Sequence, residues 1–257
     1  MLFALAVSQV AIYAADLVGI GAPLNDKWPA CAHLGVGLVL IAASWLGWRQ
    51  SQSPGMKDKV TFVCSLPFLG LLLDVLLVVL YFIVIRTVEI EQKAGATTLA
   101  VPSAIPESLW VLIVFAVYAV WDLIADVFSK DCIPKAPFRY RAFKYIRVAI
   151  VSVITSVVCL LLSYQSYCIA TTATDSTEIL FLDGMLVAVI LLFRILKACE
   201  NPLAKCFRVI DCKAFLTPRK TEGTELFWGT VLMLLYALCA AGAFGFDLRR
   251  IIASMPF

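Results

Sequence analysis

Residues 71–82 read LLLDVLLVVLYF and lie inside an apolar run from Val60 to Ile85 in which Asp74 is the only charged residue. A helix needs about 20 residues to cross the hydrocarbon core of a bilayer, so this run is long enough to span it. A carboxylate at the centre of such a helix costs about 2.5 to 3.5 kcal/mol on insertion scales, and such residues usually face protein or a water-filled path. We therefore expect a transmembrane helix whose Asp74 side chain points into the protein.

Composition places the rest of the chain in the same class. The 257 residues are 62% hydrophobic and 15% charged, and the mean hydropathy of +0.93 lies outside the range of soluble globular proteins. We predict an all-α, polytopic membrane helix bundle that forms a single transmembrane domain over 1–257. Seven apolar runs are long enough to span the membrane: 2–22, 30–48, 60–85, 108–128, 146–168, 177–196 and 225–246.

Basic residues set the predicted orientation. Most of the 21 Lys and Arg residues fall in the connections after the second, fourth and sixth runs, whereas the other connections are neutral or acidic. By the positive-inside rule, the three basic connections and the N-terminus are cytoplasmic. We expect a multi-pass protein of the plasma membrane, either a bacterial inner membrane or its eukaryotic equivalent. Arg249 and Arg250, after the last run, oppose this bias.

Asp74 has a counterpart later in the chain. The stretch LFLDGMLV at 180–187 matches the sequence around Asp74 and aligns Asp183 with it. The first and fourth runs likewise share a tyrosine followed by an aspartate. These matches suggest a duplicated three-helix unit, 1–86 and 107–197, plus one extra helix. Because three is odd, the second copy would be inverted, as in many secondary transporters. Chance similarity between leucine-rich segments is the alternative.

Polar residues inside the predicted spans are the candidate functional residues. Carboxylate oxygens suit protons and hard cations, and intramembrane carboxylates often mark ion paths. Because we expect no lysine well inside a span, some of these carboxylates must be protonated, hydrated or cation-bound. We expect Asp74 and Asp183 to face each other near the midplane. The predicted cation or proton path comprises Asp74, Asp183, Asp16, Asp122, Tyr13, Tyr118 and Gln9.

An ion channel or transporter is therefore the leading prediction, and two alternatives stay open. The aspartates could instead hold helices together through hydrogen bonds. The protein could also be a membrane-embedded effector or scaffold that forms a homo-oligomer and is gated by a cytoplasmic protein partner. The amphipathic cytoplasmic segment 197–220 and a basic cluster would contact lipid headgroups or, in an effector, the partner; the alternative is that their charges only set the topology. The cluster consists of Arg139, Arg141, Lys144 and Arg147.

Several other classes of function lack their sequence signatures. The nine cysteines form no C-x-x-C pair and the chain has one histidine, so we predict neither a metal site nor a cofactor. No G-x-S-x-G motif occurs, and we expect no enzyme. Nucleic-acid binding is not needed to explain the basic loops. His33 lies near the outer end of the second run, where we expect an exposed or hydrogen-bonded side chain rather than a proton relay.

Overall fold

The computed structural model describes residues 2–21, 23–51, 66–87, 103–123, 138–173, 175–206 and 227–242, and of residues 138–152 and 199–206 it describes the backbone alone. The regular structure in these ranges is entirely helical, which confirms the predicted all-α bundle. The helices are α1 (Leu2–Gly19), α2 (Leu24–Ser51), α3 (Leu66–Arg86), α4 (Ala104–Asp122), α5 (Phe138–Ala170), α6 (Ser176–Cys206) and α7 (Phe227–Gly242).

Five of these helices contain segments long and apolar enough to cross a membrane. They are Lys27–Arg49, Phe68–Arg86, Ala104–Asp122, Val153–Ala170 and Ser176–Ala198. The remaining helices, α1 and α7, are apolar but shorter. The helices also carry outward apolar faces, such as Leu72 on α3 and Leu161 on α5. Exposed apolar surface of this extent is typical of contact with lipid. The chain is a multi-pass membrane protein.

Among the helix boundaries that differ from the sequence prediction, those of α4 and α6 bear on the polar residues. The α4 helix begins at Ala104, ahead of the predicted start at 108, because Ser103 has an extended backbone and Pro106 falls in the first turn. Proline is tolerated there since its missing N–H would have no partner within the helix. The α6 helix continues to Cys206, so the first half of the predicted segment 197–220 is part of α6. A prediction from hydropathy ends a span at its first charged residues. The helix itself can continue, because lysine and arginine are good helix formers.

The α6 helix occupies the centre of the bundle. It packs against α2, α4 and α5, and its membrane segment is the most buried of the five. Leu182, Met185 and Ile190 on α6 are at most 1% exposed. On the other side of the bundle, α1 and α3 pack against α2, and α3 also contacts α4. The Lys27 ammonium group joins the first two helices because it donates a 2.6 Å hydrogen bond to the Ile20 carbonyl just after α1.

The α7 helix packs closely against both α5 and α6. The Tyr236 hydroxyl donates a 2.9 Å hydrogen bond to the Leu162 carbonyl of α5. At Gly184 of α6, an added Cβ would lie 3.0 Å from the Cys239 sulfur of α7. The absence of a side chain at Gly184 therefore permits the close approach of these two helices.

We expect the substitution Gly184→Val to lower the free energy of unfolding by about 1 to 3 kcal/mol, the usual cost of forcing extra carbon atoms into a packed contact. The measurement is equilibrium unfolding of the purified protein in mixed detergent micelles. Gly35→Val is the matched control, because a Cβ at Gly35 meets nothing within 4 Å. Equal stability of the two variants would show that α6 and α7 are not in this contact.

Candidate functional site

The most buried polar cluster in the described residues consists of His33, Glu107 and Asp183, hereafter the triad. The three residues come from α2, α4 and α6 and are 1%, 1% and 3% exposed. His33 Nδ1 lies 2.9 Å from Asp183 Oδ2 and 3.1 Å from Glu107 Oε2. One imidazole nitrogen therefore lies between two carboxylates.

Some polar atoms of the triad lack a hydrogen-bond partner, and its charges do not cancel when both carboxylates are ionised. If both carboxylates are ionised, even a protonated imidazole leaves one negative charge. His33 Nε2, Glu107 Oε1 and Asp183 Oδ1 are buried without a hydrogen-bond partner in the described part of the chain. Buried polar groups are normally paired, because each unpaired group costs about 1 to 3 kcal/mol. With its carboxylates ionised, the cluster would have both the negative charge and the free carboxylate oxygens to accept a proton or a cation.

The three contributing helices run in the same direction, since each supplies its triad residue from the half nearer its N-terminus. Glu107 lies in the first turn of α4. Free N–H groups give a helix N-terminus a partial positive charge, which stabilises a nearby carboxylate. This local field makes a second carboxylate beside Asp183 less costly to bury.

A second polar cluster lies toward the opposite ends of α4 and α6. Lys197 Nζ lies 2.8 Å from Asp122 Oδ2, and the two side chains are 12% and 2% exposed. The Ser156 hydroxyl of α5 donates to the same carboxylate oxygen. Asp122, predicted as a path residue, is thus neutralised by a lysine. Lys197 lies one residue before the end of the Ser176–Ala198 segment, so this pair is at the margin of the spans and does not contradict the expectation that no lysine lies well inside one.

Hydrogen-bonded hydroxyl groups continue this second cluster toward α2 and α3. The Tyr118 hydroxyl donates a 2.7 Å hydrogen bond to Ser44 Oγ. It also lies 2.8 Å from the Tyr81 hydroxyl, where either oxygen can donate. Side chains of α2, α3 and α4 are therefore joined in one chain of hydroxyl groups.

A cavity of about 440 Å³ opens beside the second cluster and is mostly apolar. Its wall includes Asp74, Asp122, Arg194 and Lys197. The Trp121 side chain lines the same cavity as the Asp74 carboxylate. Asp74 therefore points into the protein, as predicted, but toward this cavity and not toward the triad.

An apolar layer separates the triad from the cavity. Asp183 and Lys197 are about 21 Å apart along α6, at 1.5 Å per residue. Between them the aromatic rings of Phe115 and Phe193 pack edge to face, with centroids 5.4 Å apart, and both side chains are at most 4% exposed. Water or ions would have to pass this layer to move from one polar cluster to the other.

Four of the seven predicted path residues lie at three places in the bundle. Asp183 belongs to the triad, whereas Asp122 and Tyr118 form the second cluster and Asp74 lines its cavity. The expectation that Asp74 and Asp183 face each other near the midplane is wrong, because the two residues lie toward opposite ends of the bundle. Such positions are compatible with an inverted repeat, and the duplication stays a prediction.

The first helix contributes less than expected. Gln9 and Tyr13 are half-buried, but Asp16 is exposed on α1. Asp16, predicted as a path residue, therefore lies on the surface of α1 and not in the protein interior. Arg139, Arg141, Lys144 and Arg147 lie on the part of α5 described by its backbone alone, so their predicted contacts with lipid or a partner lie outside the described side chains.

Sequence reasoning missed two members of the polar clusters and underrated a third. Glu107 is absent from the predicted site because the predicted fourth span begins one residue after it. Lys197 is absent because it falls in the predicted cytoplasmic segment 197–220. His33 proved to be hydrogen-bonded and not exposed. The sequence does place a lone histidine and acidic residues near the same face of the membrane, and this shared depth is the feature that could have indicated their contact.

The fold and its two buried clusters define a multi-pass helical membrane protein with ionisable groups in its interior. No protein-family model matches the chain, and neither a curated protein nor a solved structure is significantly similar to it. The functional argument therefore depends on the clusters themselves.

Proposed function

We propose that this protein transports a small cation or proton across its membrane and that the triad is the binding site. The observation that carries the proposal is the mutual contact of three ionisable groups, His33, Glu107 and Asp183, at a position closed to solvent. Intramembrane ionisable groups of this kind are costly and typically mark ion pathways. A cation bound at the triad would remove the excess negative charge.

Hydrogen bonding between helices alone is a weaker explanation for the triad. Such bonds average about 0.6 kcal/mol where they have been measured in a membrane protein, which is small beside the cost of inserting two carboxylates. A purely structural cluster would also be expected to pair its buried atoms. The free atoms of Glu107 and Asp183 therefore favour a ligand.

The second cluster and its cavity fit the other half of a transport route. In this proposal a cation leaves the triad, crosses the layer around Phe115 and Phe193, and reaches the cavity bordered by Asp74 and Asp122. The closed layer favours a carrier that exposes the triad to one side at a time over a permanently open channel. The predicted orientation would place the cavity on the cytoplasmic side.

The effector or scaffold alternative stays a prediction, because the basic loops on which it depends lie largely outside the described residues. Transport by the purified protein without any partner would distinguish the two. A homo-oligomer is compatible with either function.

The test uses the full chain reconstituted into liposomes, with dyes that report protons and cations in the lumen. We expect measurable flux for the wild type and flux no greater than that of protein-free vesicles for Asp183→Asn. Asp175→Asn is the matched control, since Asp175 is exposed at the turn before α6, and we expect it to retain flux. Wild-type flux in a correctly folded Asp183→Asn variant would contradict the proposal.

A further inference from the structure

The donor atoms of the triad resemble those of a transition-metal site. The cluster offers one imidazole nitrogen and two carboxylates, and one ligand atom from each residue lies within 4.8 Å of the others. Imidazole suits zinc, iron and similar ions, whereas calcium takes 6–8 oxygen ligands and magnesium favours oxygen and water. The imidazole nitrogen in this donor set therefore favours a transition-metal ion over calcium or magnesium, and the two carboxylates also suit manganese.

The spacing of these donors suits direct coordination. His33 Nδ1 lies 2.9 and 3.1 Å from one oxygen of Asp183 and one of Glu107. Ligands at about 2.1 Å from a metal are separated by about 3.0 Å in octahedral and about 3.4 Å in tetrahedral geometry. Small side-chain rotations would therefore be enough to place a metal ion between the three groups.

The charge of the triad also selects for a divalent ion. With both carboxylates ionised and the imidazole neutral, an ion of charge +2 makes the site neutral, whereas a monovalent ion leaves one buried negative charge. An unpaired charge in a low-dielectric interior is costly. Three protein ligands would also leave coordination positions open, as in sites where a bound ion or its water must exchange.

We propose that the triad binds a divalent transition-metal ion of the manganese or zinc class through His33, Glu107 and Asp183. This inference rests on the proposed function and names the class of cation that the protein would carry. It differs from the sequence-based expectation of no metal site, which considered cysteine and histidine spacing but not the contact of His33 with two distant carboxylates.

The test titrates the full-length protein, purified without a histidine tag and stripped with a chelator, with Mn²⁺ and Zn²⁺ in detergent. Mn²⁺ is followed by electron paramagnetic resonance, because it prefers oxygen and nitrogen donors over the free thiols of the chain. We expect one Mn²⁺ per chain and an increase of Tm with metal concentration. Excess Mg²⁺ or Ca²⁺ should not displace the bound Mn²⁺.

Glu107→Gln and Asp183→Asn test the ligands, because each keeps the side-chain size and removes one charge. We expect each variant to lower Mn²⁺ affinity by at least about 10-fold, the lower bound found when even an outer partner of a metal ligand is lost. Asp175→Asn should bind as the wild type does. Absence of Mn²⁺ and Zn²⁺ binding to the wild type, or unchanged affinity in both triad variants, would overturn the inference.

The outcome separates this inference from the proposed function. Proton or monovalent-cation flux that depends on Asp183, without metal binding, would overturn the metal site and leave the transport proposal standing. Metal binding at the triad without flux in liposomes would support the metal site and contradict transport.

Discussion

Replacement of Lys197 by methionine is expected to lower the free energy of unfolding by about 3 to 5 kcal/mol, the range measured when one partner of a buried ion pair is removed. The 2.8 Å contact between Lys197 Nζ and the Asp122 carboxylate is almost closed to solvent. Methionine keeps much of the length of the side chain, so the loss reports mainly the unpaired charge. Unfolding in mixed detergent micelles, followed by circular dichroism, measures the effect.

Two further variants assign that loss to the ion pair. Lys197→Arg keeps the positive charge and should recover much of the stability. The double variant Lys197→Met with Asp122→Asn also removes the carboxylate of this ion pair, and we expect it to be more stable than Lys197→Met alone. If Lys197→Met unfolds like the wild type, the pair does not contribute to the stability of the bundle.

Replacement of Phe115 by alanine is expected to lower the free energy of unfolding by about 3 to 5 kcal/mol, as for other buried phenylalanines. Its ring is 1% exposed and packs edge to face on Phe193. If the proposed route is correct, the gap left in the apolar layer should also raise background cation leak in liposomes, because water can enter between the triad and the cavity. Stability and leak are measured on the same preparation.

The controls for Phe115→Ala separate volume from aromatic contact and from lipid exposure. Phe115→Leu keeps most of the volume and should lose only about 0.5 to 1.5 kcal/mol from the aromatic pair. Leu161→Ala changes a side chain that is 61% exposed and should leave leak unchanged. Low leak in a folded Phe115→Ala protein would show that this layer is not the barrier.

Hydropathy was sufficient to predict the bundle, because the helices of this chain are defined by local runs such as 71–82. It could not place the side chains within the bundle. Asp74 and Asp183 share a local sequence pattern, but the partners of each depend on which helices become neighbours. No periodicity along the chain indicates that His33 contacts a residue 150 positions away.

The two missed residues show why hydropathy underestimates polar clusters. Glu107 and Lys197 lie at the margins of their apolar runs, where a charged residue is ordinarily interpreted as the end of the span and as exposed to water. Glu107 is buried because it contacts His33 of α2 and lies on α4, which packs against α6. Lys197 reaches Asp122 because its long side chain extends from a helix that continues past the apolar run.

The wide separation of the triad residues in the chain also has a consequence for biosynthesis. Helices α2 and α4 leave the ribosome before α6, so His33 and Glu107 exist in the nascent chain before Asp183 can join them. The triad is therefore completed only after α6 has entered the membrane. Until then the incomplete chain carries His33 and Glu107 in the membrane without their final partner Asp183.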